Sequence, residues 1–348
     1  MERKKIKIDF LDFWPDLDKE NNFFTNILKK HYDVEISDKP DFLFVTYMNF
    51  WEKPYIYTEY ECVRILVSWD TLYPDFNVFD YAISNWLITC GDRHLWYPYA
   101  FENIEKMRCL QSRNLEITDA IIAEKNEFCD FIYSRGNDTG GWRDKAFDAL
   151  SQYKPLLSVG SYRNNDPEGK RVTMATKLEA QKKCKFSIAF EGTDEPGYIS
   201  EKIFDAYRAN CVPIYVGDNE LVKKIINPNS YINVADYDYD FEKILEKIRE
   251  IDENDELFME MIREPVFINE NILEEIYASM ESFLLNIFEQ TPQNAYRRMR
   301  ELRPHMQEQL LNMLYRFKAK HKLLYTVFAV TEKVSKCKNI ILGKRANK

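Results

Sequence analysis

The stretch FSIAFEGTDEPGYISEKIFDAY, residues 186–207, decides the fold. Its first five residues are a short apolar run of the kind that forms a buried strand. A polar loop follows, and the loop opens a helix whose first turn carries Ser200, Glu201 and Lys202. The start of such a helix presents free N–H groups and a positive dipole, both suited to phosphate. Lys202 adds a full positive charge there, and Glu201 can accept hydrogen bonds from ribose or sugar hydroxyls. An ordinary capped helix, with Glu at its start and Lys on a solvent face, has the same pattern. On the residues alone both readings stand.

Outward from this stretch the chain alternates short strands and helices. After it come a buried strand over 212–216, a helix near Leu221, a strand over 231–234, and helices over 241–251, 256–263 and 272–289. Before it lie a strand over 127–133, a loop over 134–141, a helix over 143–153, a strand over 156–159 and a helix over 175–183. An earlier series has strands over 6–10, 34–36, 42–45, 64–69 and 79–83 and a helix over 21–30. Short apolar strands separated by helices predict parallel sheets covered on both faces. Two such series predict an α/β chain of two doubly wound, Rossmann-like domains, residues 1–125 and 126–289, followed by a tail over 290–348. Ligands in such folds sit at the carboxyl ends of the strands.

Composition agrees with this organisation. The 348 residues are enough for two domains, and 45% hydrophobic with 15% aromatic content is too rich for a disordered chain. Only 10 Gly are present, which weighs against collagen-like and linker architectures, and no internal period is found. The seven Cys form no CxxC pair and read as reduced thiols of a cytosolic protein. The four His show no HxxxH spacing, so catalysis must lean on carboxylates, Lys, Arg or Tyr. The basic N-terminus reads as a first strand and not as a signal peptide, and no uninterrupted apolar stretch reaches the length of a membrane span. Charge is uneven. Residues 290–348 hold 14 Lys and Arg against 3 Asp and Glu, a net of +11, which leaves 34 against 54, or −20, on residues 1–289.

Extended through Val212-Pro213-Ile214-Tyr215-Val216-Gly217, the opening stretch resembles the signature of the bacterial and animal α-1,3/4-fucosyltransferases, FxFxxAFEN followed by GYxTEK and PIxxG. The resemblance runs from about Val67 to Val234. It implies a two-domain GT-B fold, GDP-β-L-fucose as donor, inversion at the anomeric carbon and no obligatory metal. It also implies an oligosaccharide or glycolipid acceptor. Lys202 matches the family's phosphate-binding Lys, Glu201 the acid beside it, Tyr198 the Tyr of GYxTEK and Glu191 the Glu of FEN. Where the family has Asn after that Glu, this chain has Gly192, so a side-chain contact is missing or comes from elsewhere, Thr193 being the candidate. That departure leaves open a transferase using another nucleotide sugar, or a glycan-binding protein on a degenerate transferase fold. Ser161-Tyr162-Arg163-Asn164 resembles the family's GxxxRN element, whose Arg bonds the diphosphate. Arg163 and Lys202 would then be the fixed cations that a metal-free departure of GDP requires. Arg143 stands where the family also tends to carry an Arg, and is a further candidate.

An inverting transfer needs one carboxylate to deprotonate the incoming hydroxyl. Residues 68–83, SWDTLYPDFNVFDYAI, resemble the family segment that holds its catalytic Glu, and alignment puts Asp70 opposite that Glu. Asp75 and Asp80 are weaker rivals, and a turn-capping Asp70 is the plain alternative. Trp69 and Tyr73 can stack on an acceptor sugar ring or belong to the core. The glycine-bearing loop over 136–141 fits no nucleotide motif and reads as a structural βα-loop, His94 reads as structural, and the DxD of Asp236-Tyr237-Asp238-Tyr239-Asp240 as helix-capping carboxylates. In the tail, Leu310, Leu314, Phe317, Leu324 and Phe328 recur at helical spacing among Arg316, Lys318, Lys320 and Lys322. A basic amphipathic helix suits the surface of an anionic membrane, and a packing helix with a solvated basic face has the same pattern. A cytoplasmic protein with peripheral contact to the inner membrane face follows from the first reading. Nucleic acid is a poor partner for the acidic body.

Overall fold

The computed structural model describes residues 3–47, 53, 55–70, 72–136, 138–299 and 301–321. The chain divides into two compact units. The first is residues 1–68, 74–82 and 285–348, and the second is residues 69–73 and 83–284.

In chain order the first part carries β1 (Lys5–Leu11), α1 (Phe23–Lys29), β2 (Asp33–Ile36), β3 (Phe42–Val45), β4 (Val63–Ser68), β5 (Tyr81–Ser84) and β6 (His94–Trp96). They form one sheet in the order β2-β1-β3-β4-β5-β6, and the boundary between the units runs inside β5. β1 pairs in parallel with β2 and β3, and β3 with β4. Every residue of β3 and β4 is buried, as expected of central parallel strands covered on both faces. Asn22 caps α1, accepting from the amides of Phe24 and Thr25, so the helix predicted over 21–30 begins at Phe23.

The second series begins with two helices that the sequence pattern did not reveal, α2 (Ile104–Gln111) and α3 (Arg113–Glu116). It continues with β7 (Glu127–Asp130), α4 (Trp142–Leu150), β8 (Leu156–Leu157), α5 (Lys177–Gln181), β9 (Cys184–Phe190), α6 (Glu201–Arg208), β10 (Val212–Val216), α7 (Asn219–Ile225), β11 (Ile232–Asn233), α8 (Phe241–Asp252) and α9 (Asp255–Arg263). Their sheet runs β11-β10-β9-β7-β8, with β9 central and parallel to both neighbours. The strand predicted over 127–133 stops at Asp130. Beyond it Tyr133 turns its phenol back onto the end of β9, accepting from the Phe190 amide at 2.8 Å and donating to the Ile188 carbonyl at 2.9 Å.

α10 (Ile272–Phe288), α11 (Pro292–Ala295) and α12 (Leu302–Lys320) complete the described chain. Residues from 285 onward belong to the first unit, where Phe288 packs its ring 4.4 Å from that of Phe42. Asp80, fully buried, accepts from the Arg297 and Arg298 amides and pairs with the Arg298 guanidinium at 3.1 Å. Glu308 on α12 closes the network, 2.5 Å from buried Arg64 and 3.4 Å from Arg298. α12 thus lies on the first unit by a mixed face: Leu311 joins its core, Gln307 bonds Asp75, and Asn312 and Arg316 bond Glu59. The residues whose spacing suggested an apolar stripe, Leu310, Leu314 and Phe317, are about half exposed instead, at 57%, 47% and 49%. Among the basic residues there, Lys318 is buried and Arg316 is paired. Leu324, Phe328 and Lys322 lie outside the described residues. No described helix is long and apolar enough to cross a membrane.

Candidate active site

The donor candidates gather at the carboxyl end of β9. Ser200, in extended backbone, is the N-cap of α6, which is why the helix expected to include Ser200 in its first turn begins at Glu201. Glu191, just past β9, is buried and spends both carboxylate oxygens on that cap. Oε1 accepts from the Ser200 amide at 2.7 Å, and Oε2 accepts from the Ser200 hydroxyl at 2.6 Å and from Lys202 Nζ at 3.2 Å. Lys202 Nζ also donates to Ser200 Oγ at 2.9 Å. Burial works against the Lys202 charge, but Glu191 and Glu201 outweigh it and hold its pKa above the usual lysine range. Burial likewise pushes the Glu201 carboxyl up, and Lys202 and Lys177 more than offset this, so it titrates below its ordinary value. Thr193 accepts from the Glu195 amide at 3.2 Å and shapes the turn of the loop.

The two arginines part company. Arg143, on the first turn of α4, is buried beside the same strand end: Nη2 donates to the Phe190 carbonyl at 3.1 Å, and its guanidinium lies 4.2 Å from the centre of the Tyr133 ring. A Cβ built on Gly192 would stand 3.8 Å from Arg143 Nη2, so the position where the resembling family has Asn opens toward this arginine. Arg163 adopts a left-handed backbone (φ 51°) and turns its guanidinium onto α4. There it pairs with Asp144 at 3.1 Å and Asp148 at 2.5 Å, over the ring of Phe147. Lys202, Glu191 and Arg143 all act on the Tyr133 phenol. In the glycine-bearing loop, Gly140 and Gly141 have positive φ, and a Cβ on Gly136 would collide with the Tyr162 ring.

Asp70 is exposed, just beyond β4. Its rivals are committed elsewhere: Asp80 to the buried network with Arg298, and Asp75 to the Asn77 amide and to Gln307. Tyr198 connects Asp70 to the donor candidates. Burial pushes its phenol up to about 12; Glu191, Glu201 and Asp70 add to the shift and Lys202 opposes it. Trp69 lies 5.8 Å from the Tyr99 ring, and Tyr73 is exposed, stacked on buried Trp86 at 4.1 Å and 15°. Tyr73 Oη reaches Glu195 at 3.4 Å. Asn85, Trp86, Trp96 and Tyr133 emerge as parts of this site without any motif in the sequence to announce them.

The remaining candidates are structural. His94 bonds Ser84 Oγ at 2.9 Å and the Ile88 carbonyl at 3.0 Å, and burial pushes its pKa down to about 4. Of the DxD carboxylates, only Asp240 caps a helix, α8; Asp236 pairs with Lys223, and Asp238 ends a 3-10 turn in a left-handed conformation. Among the described residues no three His, Cys, Asp or Glu side chains converge as a metal cluster, and the six described cysteines are free thiols.

Two family models match the chain: the alpha-(1,3)-fucosyltransferase FucT N-terminal domain over residues 8–102, and the C-terminal model of glycosyltransferase family 10 (fucosyltransferase) over residues 122–263. The alpha-(1,3)-fucosyltransferase FucT of Helicobacter pylori is 25% identical over 295 residues, covering 74% of this chain and 60% of its own length. Human 4-galactosyl-N-acetylglucosaminide 3-alpha-L-fucosyltransferase 9 is 34% identical over 77 residues, 22% of this chain and 21% of its own. The chain thus spans less than two thirds of the length of these relatives. A crystal structure of an alpha1,3-fucosyltransferase superposes with a TM-score of 0.64 at 23% identity, covering 81% of this chain and 90% of that one. Another, with GDP-fucose, gives 0.62 at 22% identity over 82% and 91%. This likeness, with the two parallel sheets, places the fold in the expected two-domain α/β class, GT-B. The strand-loop-helix around Glu191 and Lys202 lies inside the matched C-terminal region, and the chain belongs to the fucosyltransferases of glycosyltransferase family 10.

Proposed function

We propose that this protein transfers L-fucose from GDP-β-L-fucose to a hydroxyl of a GlcNAc- or Glc-containing glycan, in α-1,3 or α-1,4 linkage and with inversion. The observation that carries the proposal is that residues 85–87 and Trp96 bond both the segment flanking Asp70 and the loop leading to Tyr198, Glu201 and Lys202. Asn85 and Trp86 donate to the Trp69 and Leu72 carbonyls, and the Leu87 amide and Trp96 indole to the Pro196 and Gly197 carbonyls. A candidate base and a cation of a phosphate site are thereby carried by neighbouring segments. The GDP-fucose bound to a protein of like fold supports the donor.

In the proposed reaction the acceptor oxygen attacks the anomeric carbon as its proton passes to Asp70, and the bond to the β-phosphate breaks on the opposite face. Negative charge then grows on the departing GDP, and donors already aimed at it stabilise the transition state more than the ground state. Lys202 and Arg143 supply the charge, and the amides opening α6 supply dipoles. Arg163 joins them only by leaving Asp144 and Asp148. Glu191, with both oxygens used inside the fold, serves by aiming Lys202. Tyr198, un-ionised, offers an O–H donor, and Thr193 and Glu201 offer oxygens to sugar or ribose hydroxyls. No metal ion is required in this scheme, so EDTA should leave the rate unchanged.

GDP-fucose tested against lactose and N-acetyllactosamine acceptors, with product linkage read by NMR, decides the matter. Turnover of another nucleotide sugar in place of GDP-fucose, the alternative that Gly192 raises, would overturn the donor assignment. Binding of glycan with no turnover of any donor would instead mark a degenerate transferase. The half-exposed Leu310, Leu314 and Phe317 on α12, with exposed Lys320, support contact of the tail with an anionic membrane. Sedimentation with phosphatidylglycerol vesicles tests it, and recovery of all protein in the supernatant refutes it.

A further inference from the structure

Trp69, Asp70, Leu72 and Tyr73 belong to no strand or helix. A carboxylate on such a loop is aimed only as well as its backbone is held, and a displacement of about 1 Å is enough to cost much of the rate. Two side chains of one neighbouring segment hold that backbone. Asn85 Nδ2 donates to the Trp69 carbonyl at 2.8 Å, and the Trp86 indole N–H donates to the Leu72 carbonyl at 2.9 Å. The two carbonyls bracket Asp70. Both donors are buried, at 1% and 2% exposure, and the Trp86 ring is further fixed against Tyr73.

The same segment, together with Trp96 on β6, grips the donor loop. The Leu87 amide donates to the Pro196 carbonyl at 3.1 Å, and the Trp96 indole donates to the Gly197 carbonyl at 2.9 Å. Gly197 lies so near that a Cβ on it would stand 2.4 Å from the Asn85 carbonyl oxygen. The next residue is Tyr198, whose ring centre is 6.4 Å from that of Trp86.

We propose that Asn85 and Trp86 are positioning residues that hold the Asp70 loop in register with the donor loop, so that the base faces the sugar carbon whose leaving group Lys202 and Arg143 receive. Both are buried and act through the backbone on either side of Asp70. The proposal rests on Asp70 being the base.

Trp86→Phe keeps an aromatic ring beside Tyr73 and removes the N–H together with the rest of the five-membered ring, so the test reads the dependence on Asp70 and not the loss of activity alone. With active sites counted by GDP titration, kcat should fall by about 10-fold or more while GDP affinity stays within about twofold. On an Asp70→Asn background the same substitution should add nothing, because it works through Asp70. An acceptor whose reacting hydroxyl is made more acidic by a neighbouring fluorine needs the base less, so the deficit of Trp86→Phe should shrink with it. An unchanged kcat in Trp86→Phe overturns the proposal, as does an equal fall on both backgrounds or a deficit indifferent to acceptor acidity. Full activity of Asp70→Asn by itself would instead remove the base on which the proposal stands, and that outcome is recognised before Trp86 is touched.

Discussion

At the scale of single residues, the two arginines make the sharpest contrast. Both stand where the family resemblance suggests an arginine, yet one guanidinium points along β9 toward Gly192 and the other is held by two carboxylates of α4. Arg143→Ala should therefore weaken GDP binding by about 10-fold or more, the scale of a lost charge-assisted hydrogen bond. Arg163→Ala should change it by less than about threefold, since a half-exposed pair such as Arg163 with Asp148 contributes little. Isothermal titration with GDP checks both, and the reverse ranking would restore Arg163 as the diphosphate ligand. Glu191 makes the companion point: a glutamate beside a phosphate-type loop looks like a ligand, but it is buried and closes the helix cap.

At the scale of elements, the loop from β9 to α6 depends on close packing against residues 85–87. Gly197 has φ 98°, and a methyl there meets the Asn85 carbonyl. Gly197→Ala should destabilise the protein by roughly 2 kcal/mol or more and lower its melting temperature, with activity lost alongside. The end of β7 carries a different device. Burial raises the Asp130 carboxyl from 3.8 to about 7, against the pull of Ser187, Lys177 and Gln181. A raised carboxyl favours the folded state while it is protonated, so this contribution is full below about pH 4 and is lost as pH rises to about 7. Asp130→Asn should abolish that slope, a change on the order of 3 kcal/mol between the two ends. His94, pushed down to about 4, tilts stability the opposite way between pH 6.5 and 4, because only the unfolded state then binds its proton. The difference between wild type and variant in urea melts is therefore the quantity to follow, and a constant difference across pH 4 to 7 would refute the assignment.

At the scale of the whole molecule, the first unit is completed by chain that arrives last. Asp80, Arg64, Arg298 and Glu308 form a buried network in which the 0% exposed Asp80 meets an arginine 218 residues away. Asp80→Ala leaves buried Arg298 with the longer pair to Glu308 in place of Asp80 and should cost about 3–5 kcal/mol. Denaturant melts would show it as a lowered midpoint, and a midpoint unchanged from wild type would mean that the network relaxes into water. Glu308→Ala should do less, because its carboxylate is 20% exposed where Asp80 has none. The strip of Leu310, Leu314 and Phe317 also belongs to this scale, since helical spacing reports only that residues share a face and not which face meets the protein.

The sequence by itself determined the α/β class, most strands to within a residue or two, the helices of the second series from α4 onward, and the strand-loop-helix that carries Glu191, Tyr198, Glu201 and Lys202. These are local properties: apolar runs, helical spacing and a capping serine act over fewer than ten residues. Resemblance put Asp70 ahead of Asp75 and Asp80, and offered Arg143 only as a further candidate behind Arg163. Only the tertiary structure decided that Asp80 is structural, that Arg143 reaches the end of β9 across 47 residues, that Glu191 is a staple, and that Asn85 and Trp86 flank Asp70. Those outcomes depend on which groups burial deprives of water and which partners the fold brings to them. A buried charge or amide must take whatever partner is near in space, and sequence separation carries no record of that choice.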